Sequence, residues 1–256
     1  MPVHLVDRLW PDPAFDLPLE EAMAGFEAPP ARGDRPSVAV NMVTSIDGRA
    51  QLAGTAEGLG SRADRLLMRL YRASFDAVLS GAGTLRETGV WLRVGDELAA
   101  RRIAEGRPAN PIGVVVAGSS PVPVDAGWFD GDEPRVLLVG SDNPMEAAPA
   151  GTELIRAPDP RPTPSWVLEA LRERGVGSVL VEGGPHLNAA FVAERLVDEL
   201  YWTVGPHLVG SHALPMVAPF AADDAGPWRG HLTSVMRHED ELLLRYRFSA
   251  TGGIGQ

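Results

Sequence analysis

Cysteine and lysine are both missing from this chain: none of its 256 residues is a cysteine, and all 23 basic side chains are arginine. Without cysteine there is no disulfide, no thiol nucleophile and no thiolate metal site. Without lysine there is no Schiff-base chemistry and no P-loop lysine to grip a phosphate. A net charge of −11 speaks against a broad nucleic-acid surface, which needs a local excess of basic side chains. One basic pocket for a small anion remains compatible with that balance. No run approaches the roughly 20 apolar residues of a membrane span. The segment Met1–Arg8 shows no basic stretch leading into an apolar one, so the expectation is a cytoplasmic protein. The six histidines (His4, His186, His207, His212, His231 and His238) form no H-E-x-x-H or other close pair, and no metal is expected. A G-x-S-x-G nucleophile elbow is missing too.

What is present is enough apolar material for a full core, 45% hydrophobic against 22% charged residues. Residues 1–36 are rich in proline, glycine and acidic side chains and read as an extension wrapping over a domain of residues 37–250, with residues 251–256 as a tail. Val38–Val43 is apolar with little alternation, as in a strand covered on both faces, and ends at the turn dipeptide Asp47-Gly48. Ala63, Leu66, Leu67, Leu70 and Tyr71 recur at helical spacing, which predicts a helix over Arg62–Ser74, with Ser61 and Asp64 as a capping box. Further strands are expected at Asp76–Ser80, Ile112–Val116, Arg135–Val139, Ser178–Glu182 and Glu199–Val204. Helices are expected at Glu97–Glu105, Ser165–Arg174 and His186–Leu196. Leu232–Arg237 and Glu241–Phe248 flank the polar turn His238-Glu239-Asp240 as an antiparallel hairpin. The pattern is that of an α/β domain: a mostly parallel central sheet with helices on both faces and an antiparallel C-terminal hairpin.

Two strand-to-helix junctions stand out. Ser178–Glu182 runs into Gly183-Gly184-Pro185, where glycines admit a ligand close to the backbone and the next helix offers unpaired N–H groups. Pro185 fits a first helical turn. Alone, this segment fits a pyrophosphate cradle and an unliganded tight turn equally well. Gly81-Ala82-Gly83-Thr84 repeats the arrangement after another apolar strand, without the third glycine of the dinucleotide fingerprint. If both junctions lie at carboxyl ends of neighbouring strands, they flank one crevice. Ser119 and Ser120, past Ile112–Val116, are then placed for the 2′-phosphate of NADP.

Four segments in consistent order carry a family resemblance: Asn41-Met42-Val43-Thr44-Ser45-Ile46-Asp47-Gly48-Arg49, the stretch from Tyr71 to Thr84, Val181-Glu182-Gly183-Gly184-Pro185, and Leu196-Val197-Asp198-Glu199-Leu200-Tyr201; Pro206–Gly210 also fits. Over roughly residues 37–248 the chain resembles the reductase domain of the bifunctional riboflavin-biosynthesis deaminase/reductase, within the dihydrofolate-reductase-like superfamily. The resemblance implies NADPH as cofactor, a homodimer, and reduction of a ribosylamino-pyrimidine phosphate, ribose to ribitol. It places Thr44, Thr84 and the run Gly184–Ala190 (with Pro185, His186, Leu187 and Asn188) along the cofactor; the junction reading adds Gly81, Ala82, Gly83, Gly183 and Ser119 to the expected cofactor residues, with Val43 beside Thr44. It places Arg72 and Glu182 near the substrate, with Asp64 as a possible pterin-binding acid. An arginine fork suits a substrate phosphate, and Arg72 reads otherwise as a solvated cation at a helix C-terminus. Glu182 either accepts from pyrimidine or pterin N–H groups or pairs with a backbone donor. Asp47 is read foremost as a turn residue, and Asp64 as a helix cap. Lacking cysteine, the chain has no P-C-x-x-C half of a zinc-deaminase signature. It also departs from the family at Gly58-Leu59-Gly60, Arg86–Gly89 and Trp91-Leu92-Arg93, which leaves the substrate open between a pyrimidine and a pterin. A non-catalytic NADP-binding protein is the alternative of a different class. No residue is assigned as catalytic. Leu242–Leu244, Tyr246 and Phe248 fit a core strand and an interface alike.

Overall fold

Apolar strands with almost no polar alternation need cover on both faces, and the computed structural model provides it. It describes residues 3–52, 54–89, 92–210, 213–220 and 226–249; Trp91, His212 and the tail 251–256 lie outside these. The strands, in chain order, are β1 (Leu5–Trp10), β2 (Ala14–Pro18), β3 (Ser37–Thr44), β4 (Ala77–Gly81), β5 (Ile112–Ala117), β6 (Arg135–Val139), β7 (Thr152–Arg156), β8 (Ser178–Val181), β9 (Glu199–Val204), β10 (Gly230–His238) and β11 (Glu241–Phe248). Among the described residues they form one 11-stranded sheet in the order β2-β1-β10-β11-β9-β3-β8-β4-β5-β6-β7. The block from β9 to β7 is parallel, and β11, β10, β1 and β2 extend it antiparallel.

The period of two along each strand sorts its side chains between two cores. Ala39, Val78, Val115, Leu137 and Leu180 face one side with Ala63, Leu66, Leu67, Leu70 and Tyr71 of helix α2 (Arg62–Ser74). Val38, Val40, Leu79, Val114 and Val179 face the other, with Val167, Leu168 and Leu171 of α5 (Pro164–Arg172) and Phe191 of α6 (Pro185–Ala193). This is the expected architecture. The helices α1 (Leu19–Ala22), α3 (Ala82–Thr88) and α4 (Asp96–Ala104) complete the set.

The structure corrects several expected boundaries. Residues 1–36 contribute more than a wrap: β1 pairs with β10, β2 pairs with β1, and Val6 and Leu19 are fully buried. Helix α5 stops at Arg172, two residues before its expected end, and Gly175 follows at φ +77°. Helix α6 ends at Ala193 rather than Leu196, and Arg195 takes a left-handed φ of +53°. The short helix α3 and the half-exposed edge strand β7 carry too weak a periodicity to be read from sequence.

Candidate active site

The order of the parallel strands places the site. From β4 the chain moves outward through β5, β6 and β7, then returns to insert β8 between β3 and β4 and crosses to β9. The direction of winding reverses between β8 and β4, a switch point where α/β sheets open a crevice at their carboxyl ends. Both glycine junctions sit there and touch: the Gly81 N–H donates to the Gly183 carbonyl at 2.8 Å. Gly183 has φ +82°, a conformation glycine adopts freely, and the Gly183–Gly184 peptide is cis. A Cβ on Gly184 would lie 3.0 Å from Thr84 Oγ1, and one on Gly81 3.6 Å from Gly184 N. Gly81 and Gly184 are the N-caps of α3 and α6, and neither helix has a side-chain cap. Their first N–H groups therefore remain available to an anion. Beside them opens a cavity of about 640 Å³ whose lining includes Met42, Thr84, Glu182, Gly184, Pro185 and Leu214. The donor-rich, side-chain-free junction fits a dinucleotide pyrophosphate.

The cofactor residues expected from sequence divide into those at the cavity and those behind it. Gly81, Ala82, Gly83, Thr84, Gly183, Gly184, Pro185 and Leu187 come together at the junction, and His186 is exposed on α6. Thr44 is corrected: it is completely buried, its hydroxyl donating to Ser45 O at 2.9 Å and accepting from Trp202 Nε1 at 2.7 Å. Val43 lies one residue out of phase with Met42, the β3 side chain that lines the cavity. Asn188 is also corrected: fully buried, it donates to Met216 O at 2.9 Å and anchors the 213–218 loop. Ser119 donates its hydroxyl to Asp142 Oδ1 at 2.7 Å, and a neighbouring carboxylate is unfavourable for a 2′-phosphate.

On the substrate side, Arg72 is neither a solvated helix-end cation nor a free phosphate fork. Nε and Nη2 donate to the two oxygens of Glu182 at 2.7 and 2.6 Å, and Nη1 donates to Arg93 O at 3.0 Å. Both side chains are about nine-tenths buried. Glu182 thus pairs with an arginine rather than a backbone donor, and Arg72 fixes it at the mouth of β8.

Asp64 sits at the first turn of α2, half-buried and close against Gly60. Burial pushes its carboxyl up to about 6, reinforced by the charges of Glu241 and Glu182 and opposed by the Thr203 hydroxyl and Arg65. Half of the expected capping box forms: Ser61 Oγ accepts from the N–H groups of Ala63 and Asp64 at 3.1 and 3.3 Å. The reciprocal donor, Ser61 N–H, goes instead to Glu241 Oε1 at 2.6 Å. Asp47 holds its turn and more: it accepts from Ser45 Oγ and from the N–H groups of Val209 and Gly210, which together keep its carboxyl well below the usual range. Met42, which lines the cavity, is a site residue that sequence reading missed, as are the buried Thr203 and Glu241 behind Asp64. For Met42 a signal existed, since strand parity makes Met42 or Val43, never both, face the crevice.

A switch-point anion cradle beside a carboxylate held by a buried arginine, on a mostly parallel sheet with an antiparallel hairpin, is a site built to bind a dinucleotide next to a small polar molecule. The chain belongs to the family described as the RibD C-terminal domain, which matches residues 36–229. It is 32% identical over 189 residues to the 2,5-diamino-6-ribosylamino-4(3H)-pyrimidinone 5′-phosphate reductase of Archaeoglobus fulgidus, covering 72% of this chain and 86% of that one. The riboflavin biosynthesis protein RibD of Mycobacterium tuberculosis is 32% identical over 212 residues, 82% of this chain but 53% of that longer protein. Among solved structures, a pyrimidine reductase-like protein from Corynebacterium diphtheriae superposes with a TM-score of 0.74 at 21% identity, covering 84% of this chain and 93% of that one. Among the described residues no helix is long and apolar enough to cross a membrane, and no group of His, Cys, Asp or Glu is arranged to hold a metal ion.

Proposed function

We propose that this protein reduces a ribosylamino-pyrimidine phosphate, ribose to ribitol, with NADPH as hydride donor. One observation carries the reading: the two glycine junctions meet at the switch point beside Glu182, which Arg72 locks in place. The Archaeoglobus relative, named for that reaction and aligned over most of both chains, supports the substrate class. When bound, a dihydronicotinamide supplies the hydride. The N–H groups opening α3 and α6 hold the diphosphate, and Glu182 accepts from the N–H edge of the aminopyrimidine. Asp64 keeps its proton to about pH 6 and is the group that delivers it to the reduced substrate.

A 2-amino-4-oxo-pterin presents the same N–H edge, so the half-buried Asp64 also favours a second reading, a pterin reductase. Following NADPH oxidation with the ribosylamino-pyrimidine phosphate and with dihydrofolate separates them; turnover of the first only is expected, and turnover of neither overturns both. In the same proposal the protein is a cytoplasmic homodimer, with Leu232 and Leu242 exposed on the hairpin as the apolar contact. Sedimentation at micromolar concentration tests it, and a monomer overturns it.

A further inference from the structure

Glu241 opens β11, immediately after the hairpin turn, and is almost wholly buried. Its Oε1 takes the Ser61 N–H at 2.6 Å, while its Oε2 is buried with no hydrogen-bond partner. A buried, half-satisfied carboxyl is costly, and a structural N-cap needs none, because Ser61 Oγ already caps α2. Asp64 stands at the third position of that helix, where a reciprocal capping box would turn its carboxyl back onto the Ser61 N–H. Glu241 occupies that donor, and the Asp64 carboxyl lies instead against Gly60, its Oδ2 filling the space a Cβ there would need, within reach of the charge of Glu182, which lines the cavity.

We propose that Glu241 is a positioning residue: by taking the Ser61 N–H it keeps Asp64 out of its own capping box and turned towards the substrate. This rests on the reading of Asp64 as the substrate-side acid. The groups bearing on Asp64 are Arg65 and Tyr71 on its own helix, Thr203 on β9, Glu182 (itself held by Arg72) at the end of β8, and Glu241.

The test compares Glu241→Ala, Glu241→Gln and Asp64→Asn in the full chain. In Glu241→Ala the Asp64 carboxyl swings back to Ser61, so kcat falls about 10- to 100-fold while thermal stability is retained. Glu241→Gln keeps an acceptor for Ser61 and restores most of kcat. With the charge gone the proton of Asp64 leaves more easily, so the loss of activity with rising pH moves to lower pH. In an Asp64→Asn background, Glu241→Ala has no further effect, whereas a purely structural role would add to the loss. Wild-type kcat and pH profile in Glu241→Ala overturn the inference. If that variant fails to fold, an unmoved pH limb in Glu241→Gln does so. Full activity in Asp64→Asn sinks the reading of Asp64 itself, independently of Glu241.

Discussion

Removing Arg72 strands Glu182 as a buried carboxylate with no partner. Arg72→Ala is therefore expected to lower stability by about 3–5 kcal/mol, read from denaturant unfolding; a change confined to KM for phosphorylated substrates would restore the phosphate reading. Asp64 carries the opposite tension. Its folded value of about 6 exceeds the ordinary 3.8, so the folded state holds the proton more tightly than the unfolded chain. The stability this contributes is full below pH 3.8, declines as pH rises towards about 6, and stays at the lower level above. Asp64→Asn removes that decline. The variant should gain on the order of 1–2 kcal/mol near neutral pH while losing turnover; equal stability at neutral pH would show that Asp64 is not the strained group. At this scale sequence reading singled out the glycines, Arg72, Glu182 and Asp64, which the fold brings near one another, but not the pairing of Arg72 with Glu182. It missed Glu241, because the donor that explains it, Ser61, lies 180 positions away. It assigned Thr44 wrongly, because an apolar strand covered on both faces does not announce which side opens on the crevice.

The elements that build the site were the legible ones. Helix α2 has the bounds its periodicity predicts, β3 exceeds its expected range by one residue at each end, and both junctions follow strands that the apolar runs identify. Edge strands were not legible: β7 is half-exposed along its length, and β1 and β2 are short segments with prolines and charges between scattered apolar residues. The meeting of α3 and α6 gives a prediction of its own. A methyl at Gly184 points at Thr84 Oγ1, into the space between the two helix starts, from a φ of −77° that alanine tolerates. NADPH at a hundredfold excess over its Kd should stabilise the wild type by about 2.7 kcal/mol. Gly184→Ala should abolish most of that increment with little effect on the unliganded protein. A full thermal shift in the variant would move the pyrophosphate elsewhere.

For the molecule as a whole, the sheet is asymmetric: helices cover the parallel block on both faces, and the antiparallel side ends in β1 and β2. Val6, Leu19 and Met23 are buried there, and Phe26 stacks edge-on against Tyr71 and Tyr201. Deleting residues 1–22 would expose the long β10 edge and lose two fully buried side chains worth about 1.5–3 kcal/mol each. Light scattering at fixed concentration should show self-association of the truncated chain, and a well-behaved protein of unchanged stability would mean that this edge is dispensable. The alternation of strands and helices made the parallel block readable as a whole, while the wrap of residues 1–36 into the same sheet depends on partners too distant for any local pattern.

That wrap also sets a timetable. Arg237 of β10 grips Asp7 of β1 across 230 positions of chain, so the β1–β2 hairpin made near the start cannot join the sheet through β10 until almost everything else has emerged. The parallel block can assemble earlier, and closing a loop this long is entropically late. Pulsed hydrogen exchange during refolding should find the amides of β3, β4 and β8 protected first and those of β1 last; simultaneous protection would mean that the edge is recruited from the outset.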